Sequence, residues 1–246
     1  MSKPPENSQT GKPRHRAFFG RVSGKRLHKG QHALLETLLP ELQVDLPEEG
    51  MIDPEQLFSK AAKQRIIEIG YGGGEHLARL AEENPETGFV GCEVFTGGIG
   101  KMLQKIAVQG LKNISLFTED AFRLLQVLPD ASIDGVYLLY PDPWPKSRHH
   151  KRRFVSKTTL DELARVLKPQ GFFRFATDIE DYANWTLAHI LRHEGFEWPP
   201  CPPGSWHNPF SGWQPTRYEE KARREGRDKS FYFSFRCRDA QNLGLK

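Results

Sequence analysis

The chain has 246 residues, 37% of them hydrophobic and 11% aromatic, enough to bury one sizeable core. No apolar run approaches membrane-spanning length, no signal-peptide segment opens the chain, and the three cysteines (Cys92, Cys201, Cys237) are odd in number without metal-ligand spacing; this points to a reducing, cytoplasmic setting with no metal and no membrane. The net charge of +4 hides an uneven distribution: residues 1–30 carry eight Lys or Arg against one acid, Glu6, residues 146–153 add five more with no acid, and the remainder is net negative. Residues 1–30 therefore read as a basic, flexible arm, either a solubilising tail or a segment that tracks a polyanion, and residues 31–246 as a single domain.

In chain order, the first structured unit is Arg65-Ile66-Ile67-Glu68-Ile69, then Gly70-Tyr71-Gly72-Gly73-Gly74, then Glu75-His76-Leu77-Ala78-Arg79-Leu80-Ala81. This is strand, glycine turn and helix, the opening of a doubly wound sheet, in which Gly70 and Gly72 let backbone N–H groups approach a ligand. A nicotinamide fingerprint needs a small residue five positions after Gly70, where Glu75 stands. Glu93, at the exposed tip of a second strand, Phe89-Val90-Gly91-Cys92, suits a pair of ribose hydroxyls. With Glu68 beside the loop, where a cationic amino acid is more welcome than a pyrophosphate, the pattern favours S-adenosyl-L-methionine over a dinucleotide.

The pattern recurs. Ile114-Ser115-Leu116-Phe117 ends in Thr118-Glu119-Asp120, Ile133-Asp134-Gly135-Val136 leads to Asp142, and Phe172-Phe173-Arg174-Phe175-Ala176 ends in Thr177-Asp178. Helical spacing at Leu160, Leu163, Ala164 and Leu167, closed by Lys168-Pro169-Gln170-Gly171, separates the last two. Any one acid can be a helix cap, but five in succession point to a ligand-binding edge. A helix over residues 180–194 and a short strand near residues 195–198 follow, and then the alternating Lys229-Ser230-Phe231-Tyr232-Phe233-Ser234-Phe235-Arg236, which lacks a following helix and enters the sheet antiparallel. The expected fold is α/β and Rossmann-like, a seven-stranded, mostly parallel sheet with one antiparallel strand and helices on both faces, by analogy the class I methyltransferase architecture.

Pro141-Asp142-Pro143-Trp144-Pro145-Lys146 follows the apolar run Val136-Tyr137-Leu138-Leu139-Tyr140 directly. Three prolines in five residues cannot continue a central strand, so they form a rigid loop at its end. The loop holds a carboxylate, an indole and an ammonium, a composition suited to a flat polar ring. Arg148-His149-His150-Lys151-Arg152-Arg153 continues from it, so the substrate carries phosphates. Trp144 either stacks on a base or packs beneath the loop.

These segments resemble the signature of the tRNA (guanine-N7)-methyltransferases. The resemblance rests on residues 141–146 and 148–153, with Glu68-Ile69-Gly70, Ala176-Thr177-Asp178 and Thr216-Arg217-Tyr218-Glu219 ahead of the final helix. Arg16-Ala17-Phe18-Phe19-Gly20-Arg21 and Gly30-Gln31 extend it, so that it spans roughly residues 16–238; Tyr71, Gly73 and Glu75-His76 depart from the pattern. The resemblance implies that Glu68, Glu93 and Asp120 bind the methionine end, ribose hydroxyls and adenine amine of S-adenosyl-L-methionine. It implies that Asp142 is catalytic and also borders the cofactor, and that Lys146, Asp178, Thr216, Arg217, Tyr218 and Glu219 bind substrate. Arg148, His149, His150, Lys151, Arg152 and Arg153 would contact RNA, and the product would be 7-methylguanosine in the variable loop of tRNA.

Guanine N7 has a free in-plane lone pair and no proton to lose, so its methylation needs alignment and electrostatics rather than an obligatory base. Asp142, helped by Asp178 or Glu219, can accept from guanine N1–H and the amino group as positive charge develops. N7 is hidden in duplex RNA, so the target is an unstacked base or an open loop. Two alternatives remain at this level. Clustered cations argue against a small-molecule S-adenosylmethionine methyltransferase, and the full set of acids argues against a non-catalytic RNA-binding protein.

Overall fold

The computed structural model describes residues 22, 24, 27–58 and 61–239, so most of the expected basic arm lies outside the described residues. In chain order the elements are α1 (Lys29–Thr37), α2 (Leu39–Leu42), β1 (Gln64–Ile69), α3 (Glu75–Glu83), β2 (Thr87–Cys92), α4 (Thr96–Gln109), β3 (Ile114–Phe117), α5 (Ala121–Val127), β4 (Ile133–Leu139), α6 (Lys157–Val166), β5 (Leu167–Thr177), α7 (Glu180–Ile190), β6 (Phe196–Glu197), α8 (Arg217–Arg224) and β7 (Phe231–Cys237). The strands form one seven-stranded sheet in the order β3-β2-β1-β4-β5-β7-β6. β7 runs antiparallel between β5 and β6, and the other pairings are parallel. The last strand thus enters reversed, as its aromatic-polar alternation and missing helix predict.

Alternation along the strands builds the two faces. Ile67, Val90 and Leu138 point into one core with Leu124, Leu125, Leu160 and Leu163 of α5 and α6. Their neighbours Ile66, Phe89 and Leu139 point into the other, with Leu77 of α3 and Ile99, Met102, Leu103 and Ile106 of α4. The i, i+3, i+4, i+7 spacing in α4 buries one stripe, and Gly110 ends the helix at φ +66°. In α6, Ser156 caps the N-terminus in a reciprocal box with Thr159.

Register does the work of placing the site. Ile69 lies opposite both Cys92 and Leu138, Cys92 opposite Phe117, and Leu139 opposite Ala176. The carboxyl ends of five strands are therefore level, and the residues that follow them share one rim.

Three expectations shift. α1 starts at Lys29, inside the expected arm, and just beyond that arm Gln31 is buried against α4 and donates to Gln104 at 3.1 Å. Residues 168–171 are not a turn outside the sheet: Leu167 already pairs with Ile133, Gln170 adopts φ +63°, and the register shifts between Ile133 and Gly135, so the segment is a bulge within β5. α7 ends at Ile190, short of residue 194. The free edge of β3 is covered by the segment after α2, where Val44 N–H donates to the Leu116 carbonyl at 2.8 Å. Among the described residues no helix is long and apolar enough to cross a membrane.

Gly74 caps α3 at φ +75°, and a Cβ there would sit 2.2 Å from Met102 Sδ. Gly74→Ala should therefore lose about 2 kcal/mol or more of unfolding free energy in a urea titration, combining the left-handed backbone penalty with overpacking. An unchanged midpoint would show that Met102 yields without cost.

Candidate active site

The shared rim encloses a cavity of about 430 Å³. Gly70 and Gly72 line it from the end of β1, Glu93 from β2, Asp120 from β3 and Asp142 from β4, with Tyr140, Phe95, Phe154 and Tyr218 as its aromatic walls. An adjoining cavity of about 320 Å³ shares Gly70, Gly72, Tyr140 and Tyr218 and adds Glu68, His76, Lys101, Thr216, Arg217 and Lys221. Gly70 and Gly72 take φ +72° and +55°, and a Cβ on either would meet no protein atom within 4 Å. Their open side is a space that a side chain would fill and a ligand can occupy.

The acids divide by environment. Glu93, expected at an exposed tip, is half-buried; Oε2 accepts from Gly72 N–H at 2.9 Å, and Oε1 from Val94 and Phe95 N–H at 2.8 and 2.9 Å. It clips the glycine loop to the end of β2. Burial raises its carboxyl above the ordinary value, and those N–H groups pull it back only in part. Asp120 is buried, accepts from Phe122 N–H at 3.1 Å and so caps α5 while lining the cavity. Asp142 stands at the mouth, and its surroundings desolvate it enough to raise its carboxyl. Glu68 opens on the adjoining cavity, its Oε2 2.7 Å from Nδ1 of His76, whose ring lies between Tyr137 and Trp213 at centroid distances of 4.8 and 5.0 Å.

Of the residues expected to bind substrate, Tyr218 lines both cavities and Thr216 and Arg217 line the second, whereas Lys146 and Asp178 lie outside both linings. Asp178 pairs with Arg227 and lies 3.4 Å from the Tyr218 hydroxyl. Glu219 is only 2% exposed. It lies inside α8, not ahead of it, and accepts from Thr216 N–H at 2.7 Å, Tyr232 OH at 2.5 Å and Trp213 Nε1 at 3.1 Å. Tyr140 extends the chain, its hydroxyl 3.2 Å from that of Tyr232. Burial keeps both phenols protonated, the Tyr232 hydroxyl being pushed up to about 12. Glu219 thus fastens α8 to β7 and the rim, and its buried oxygens are already occupied by donors.

The basic loop is a short 3-10 turn, Ser147–Arg152, in which Arg148, Lys151 and Arg152 are exposed. Trp144 packs against the loop itself, edge-on to His149 with centroids 5.9 Å apart and 4.7 Å from the Arg152 guanidinium. Partial desolvation, then Arg148, Arg152, Lys146 and Lys151, lower the His149 pKa. His150 turns inward to the ring of Trp185, with centroids 5.4 Å apart. Arg153, grouped from sequence with the RNA-contacting cations, is 1% exposed and pairs with Asp181, so no phosphate reaches it in this conformation. Sequence reasoning missed Phe95, Tyr140 and Arg227. Tyr140 was signalled by its place before the proline loop; Arg227 had no signal, lying 49 residues from Asp178.

A reversed strand inserted next to the edge of a parallel sheet, with an acid-rimmed glycine loop, defines the class I methyltransferase architecture. The solved 16S rRNA methyltransferase KamB shares this fold, with a TM-score of 0.55 at 16% identity over 78% of this chain and 96% of that one. The family described as putative methyltransferase matches residues 62–232. A tRNA (guanine-N(7)-)-methyltransferase of Rhizobium meliloti (strain 1021) is 51% identical over 220 residues, covering 89% of this chain and 94% of its own length. One of Agrobacterium fabrum (strain C58 / ATCC 33970) is 50% identical over 218 residues, covering 87% and 93%. The chain belongs to the tRNA (guanine-N7)-methyltransferase family.

Glu219→Ala should strand the Trp213, Tyr232 and Thr216 donors around a buried hole. A loss of about 2–4 kcal/mol of unfolding free energy is expected, since each orphaned buried donor costs about 1–3 kcal/mol. Urea denaturation followed by tryptophan fluorescence measures it, and a loss under about 0.5 kcal/mol, the range of ordinary surface changes, would remove Glu219 from its structural role.

Proposed function

We propose that this protein transfers a methyl group from S-adenosyl-L-methionine to N7 of a guanine in the variable loop of tRNA. One observation carries the reading: Glu93, Asp120 and Asp142 converge with the glycine loop on one cavity, and the exposed cations Arg148, Lys151 and Arg152 continue directly from the Asp142 loop. Family membership supports it.

The residues fit the cofactor. An elongated cation with a ribose diol and an adenine amine needs acceptors along a trough and a backbone it can approach closely. Glu93 would hold the hydroxyls and Asp120 the adenine amine, and the open faces of Gly70 and Gly72 would border the amino-acid end, with Glu68 behind them. When bound, this cofactor supplies an electrophilic methyl group. Asp142 would accept from guanine N1–H and the amino group; those donors become more acidic as N7 takes up positive charge, so the contact strengthens on the way to the transition state. Tyr140 and Tyr218, with ring centroids 5.1 Å apart and planes tilted by 38°, line the cavity beside Asp142, and either ring face would offer a purine an aromatic contact. Arg148, Lys151 and Arg152 would hold the RNA backbone.

The direct test is incorporation of labelled methyl into bulk tRNA, with free nucleosides as the control and nucleoside mass analysis of the product. Methyl on guanine N7 in tRNA is expected. Methyl on a ribose oxygen or ring carbon, or labelling of free nucleosides alone, would overturn the reading.

Glu93→Ala removes the ribose acceptor and unclips Gly72. Affinity for S-adenosylmethionine by calorimetry should fall at least about tenfold, given about 1.5–3 kcal/mol for a charged hydrogen bond; unchanged affinity would remove Glu93 from the cofactor site. Asp142→Asn should instead cut turnover strongly while sparing cofactor affinity. Because the Asp142 carboxyl is raised, it takes up a proton at a higher pH than a solvated aspartate. Turnover at saturating substrates should fall as pH drops through that raised value, and the residual rate of Asp142→Asn should lack this acidic limb. A limb that persists in the variant would assign it to another group.

A further inference from the structure

Asp142 sits in a loop that cannot hold itself. Pro141, Pro143 and Pro145 supply no backbone donors, so the usual turn hydrogen bonds are missing around the carboxylate. The flanking backbone is also costly: Tyr140 and Trp144 take φ +49° and +45°, a left-handed conformation that non-glycine residues rarely adopt. Such conformations persist only where the surroundings over-determine them. The loop therefore has to be gripped through its carbonyls by donors from outside.

Arg153 provides that grip. Its Nε donates to the Pro143 carbonyl at 2.9 Å, one residue from Asp142. Its Nη2 pairs with Asp181 at the start of α7, and its guanidinium lies 4.9 and 5.1 Å from the ring centroids of Tyr182 and Trp185 on the same helix. Two residues further on, Val155 is tied to both rings, its N–H 3.4 Å from the Tyr182 hydroxyl and its carbonyl accepting from Trp185 Nε1 at 2.7 Å. The Arg153 side chain has 0% exposure. Nε and Nη2 have fixed partners and two aromatic rings lie against the guanidinium, while Nη1 is buried without a hydrogen-bond partner among the described residues. A planar fork serves two partners at a set separation, a geometry that a lysine ammonium does not reproduce. Arg152, the adjacent residue, points to solvent over Trp144.

We infer that Arg153 is a positioning residue: it braces the Pro143 carbonyl against α7 and so sets the angle at which Asp142 meets guanine, and it does not contact RNA. The inference rests on the proposed reaction.

The test compares wild type, Arg153→Lys, Asp181→Asn and Arg152→Ala in methyl transfer to tRNA, with tRNA affinity measured across a salt series and melting temperature recorded for each. Arg153→Lys keeps the positive charge but not the fork. Its kcat at saturating tRNA should fall tenfold or more, while its S-adenosylmethionine affinity and the salt slope of its tRNA affinity match wild type. Arg152→Ala should instead flatten that slope by up to about one log–log unit, as loss of a phosphate contact does. If Arg153→Lys melts below the assay temperature, Asp181→Asn decides. That residue is on the surface, and releasing its end of the brace should lower kcat about threefold with the salt slope unchanged. Wild-type kcat in Arg153→Lys, or in Asp181→Asn where the first variant melts, overturns the inference, as does a flattened slope with kcat retained in Arg153→Lys. A wild-type protein that leaves tRNA unmethylated would overturn the reaction instead.

Discussion

Parallel pairing that keeps the carboxyl ends of β1 to β5 level is the constraint on which the rest of this molecule depends. With Ile69, Cys92, Leu138 and their partners in register, every segment that leaves the sheet does so at the same height. A slip by one residue in β2 would turn Val90 and Phe89 to the wrong cores and carry Glu93 away from Gly72. The two hydrophobic cores therefore fix the positions of charged groups they never touch. Burial of Ile67, Val90 and Leu138 on one face and Ile66, Phe89 and Leu139 on the other sets the register; the rim inherits it.

Gathering carboxylates on one rim is electrostatically unfavourable, and the chain offsets it locally. Glu93 takes three backbone N–H groups from the glycine loop and the start of α4, and Asp120 takes one from the first turn of α5. The same contacts that make these charges tolerable also shape the backbone around the ligand space. Asp142 is different. Among the described residues no comparable set of N–H donors stabilises its charge, and desolvation raises its carboxyl. Of the rim acids it is the one most dependent on an incoming donor, and a purine edge with N1–H and an amino group offers two.

Strand runs, the glycine turn, the acids at strand ends and the reversed final strand were legible because each is a local pattern: β-branched periodicity, a turn needing positive φ, alternation without a following helix. What was not legible is which member of a like pair is buried. Arg152 and Arg153 are indistinguishable as sequence, yet one faces solvent and the other lies against Tyr182 and Trp185. The choice is made by α7, nearly thirty residues downstream, and no spacing rule reports it. Thr216 and Glu219 illustrate the reverse case. The family resemblance assigns both to substrate, whereas their i, i+3 spacing forms a capping box at the start of α8 and Glu219 also takes donors from Trp213 and Tyr232. Residues 168–171 looked like a turn because proline and glycine punctuate them, but pairing of Leu167 with Ile133 overrides the local signal and keeps them in the sheet.

The reversed β7 explains why the C-terminal third belongs to the site. A parallel seventh strand would deliver its chain to the opposite edge of the sheet. Running antiparallel, β7 begins at the rim, so Ser230 and Tyr232 lie beside Tyr140, and the segment before it, α8, is laid across the same edge. Glu219 then locks α8 in place through Tyr232, and α8 carries Tyr218 to the cavity wall next to Asp142. Tyr140 belongs to both systems: its ring faces Tyr218 and its hydroxyl joins the buried chain leading to Glu219, while its backbone N–H holds the Ala176 carbonyl at the end of β5. The left-handed conformation of Tyr140 is thus sustained from three directions, so the strain at the start of the proline loop is borne by the C-terminal strand and helix, and the strain at its other end by α7.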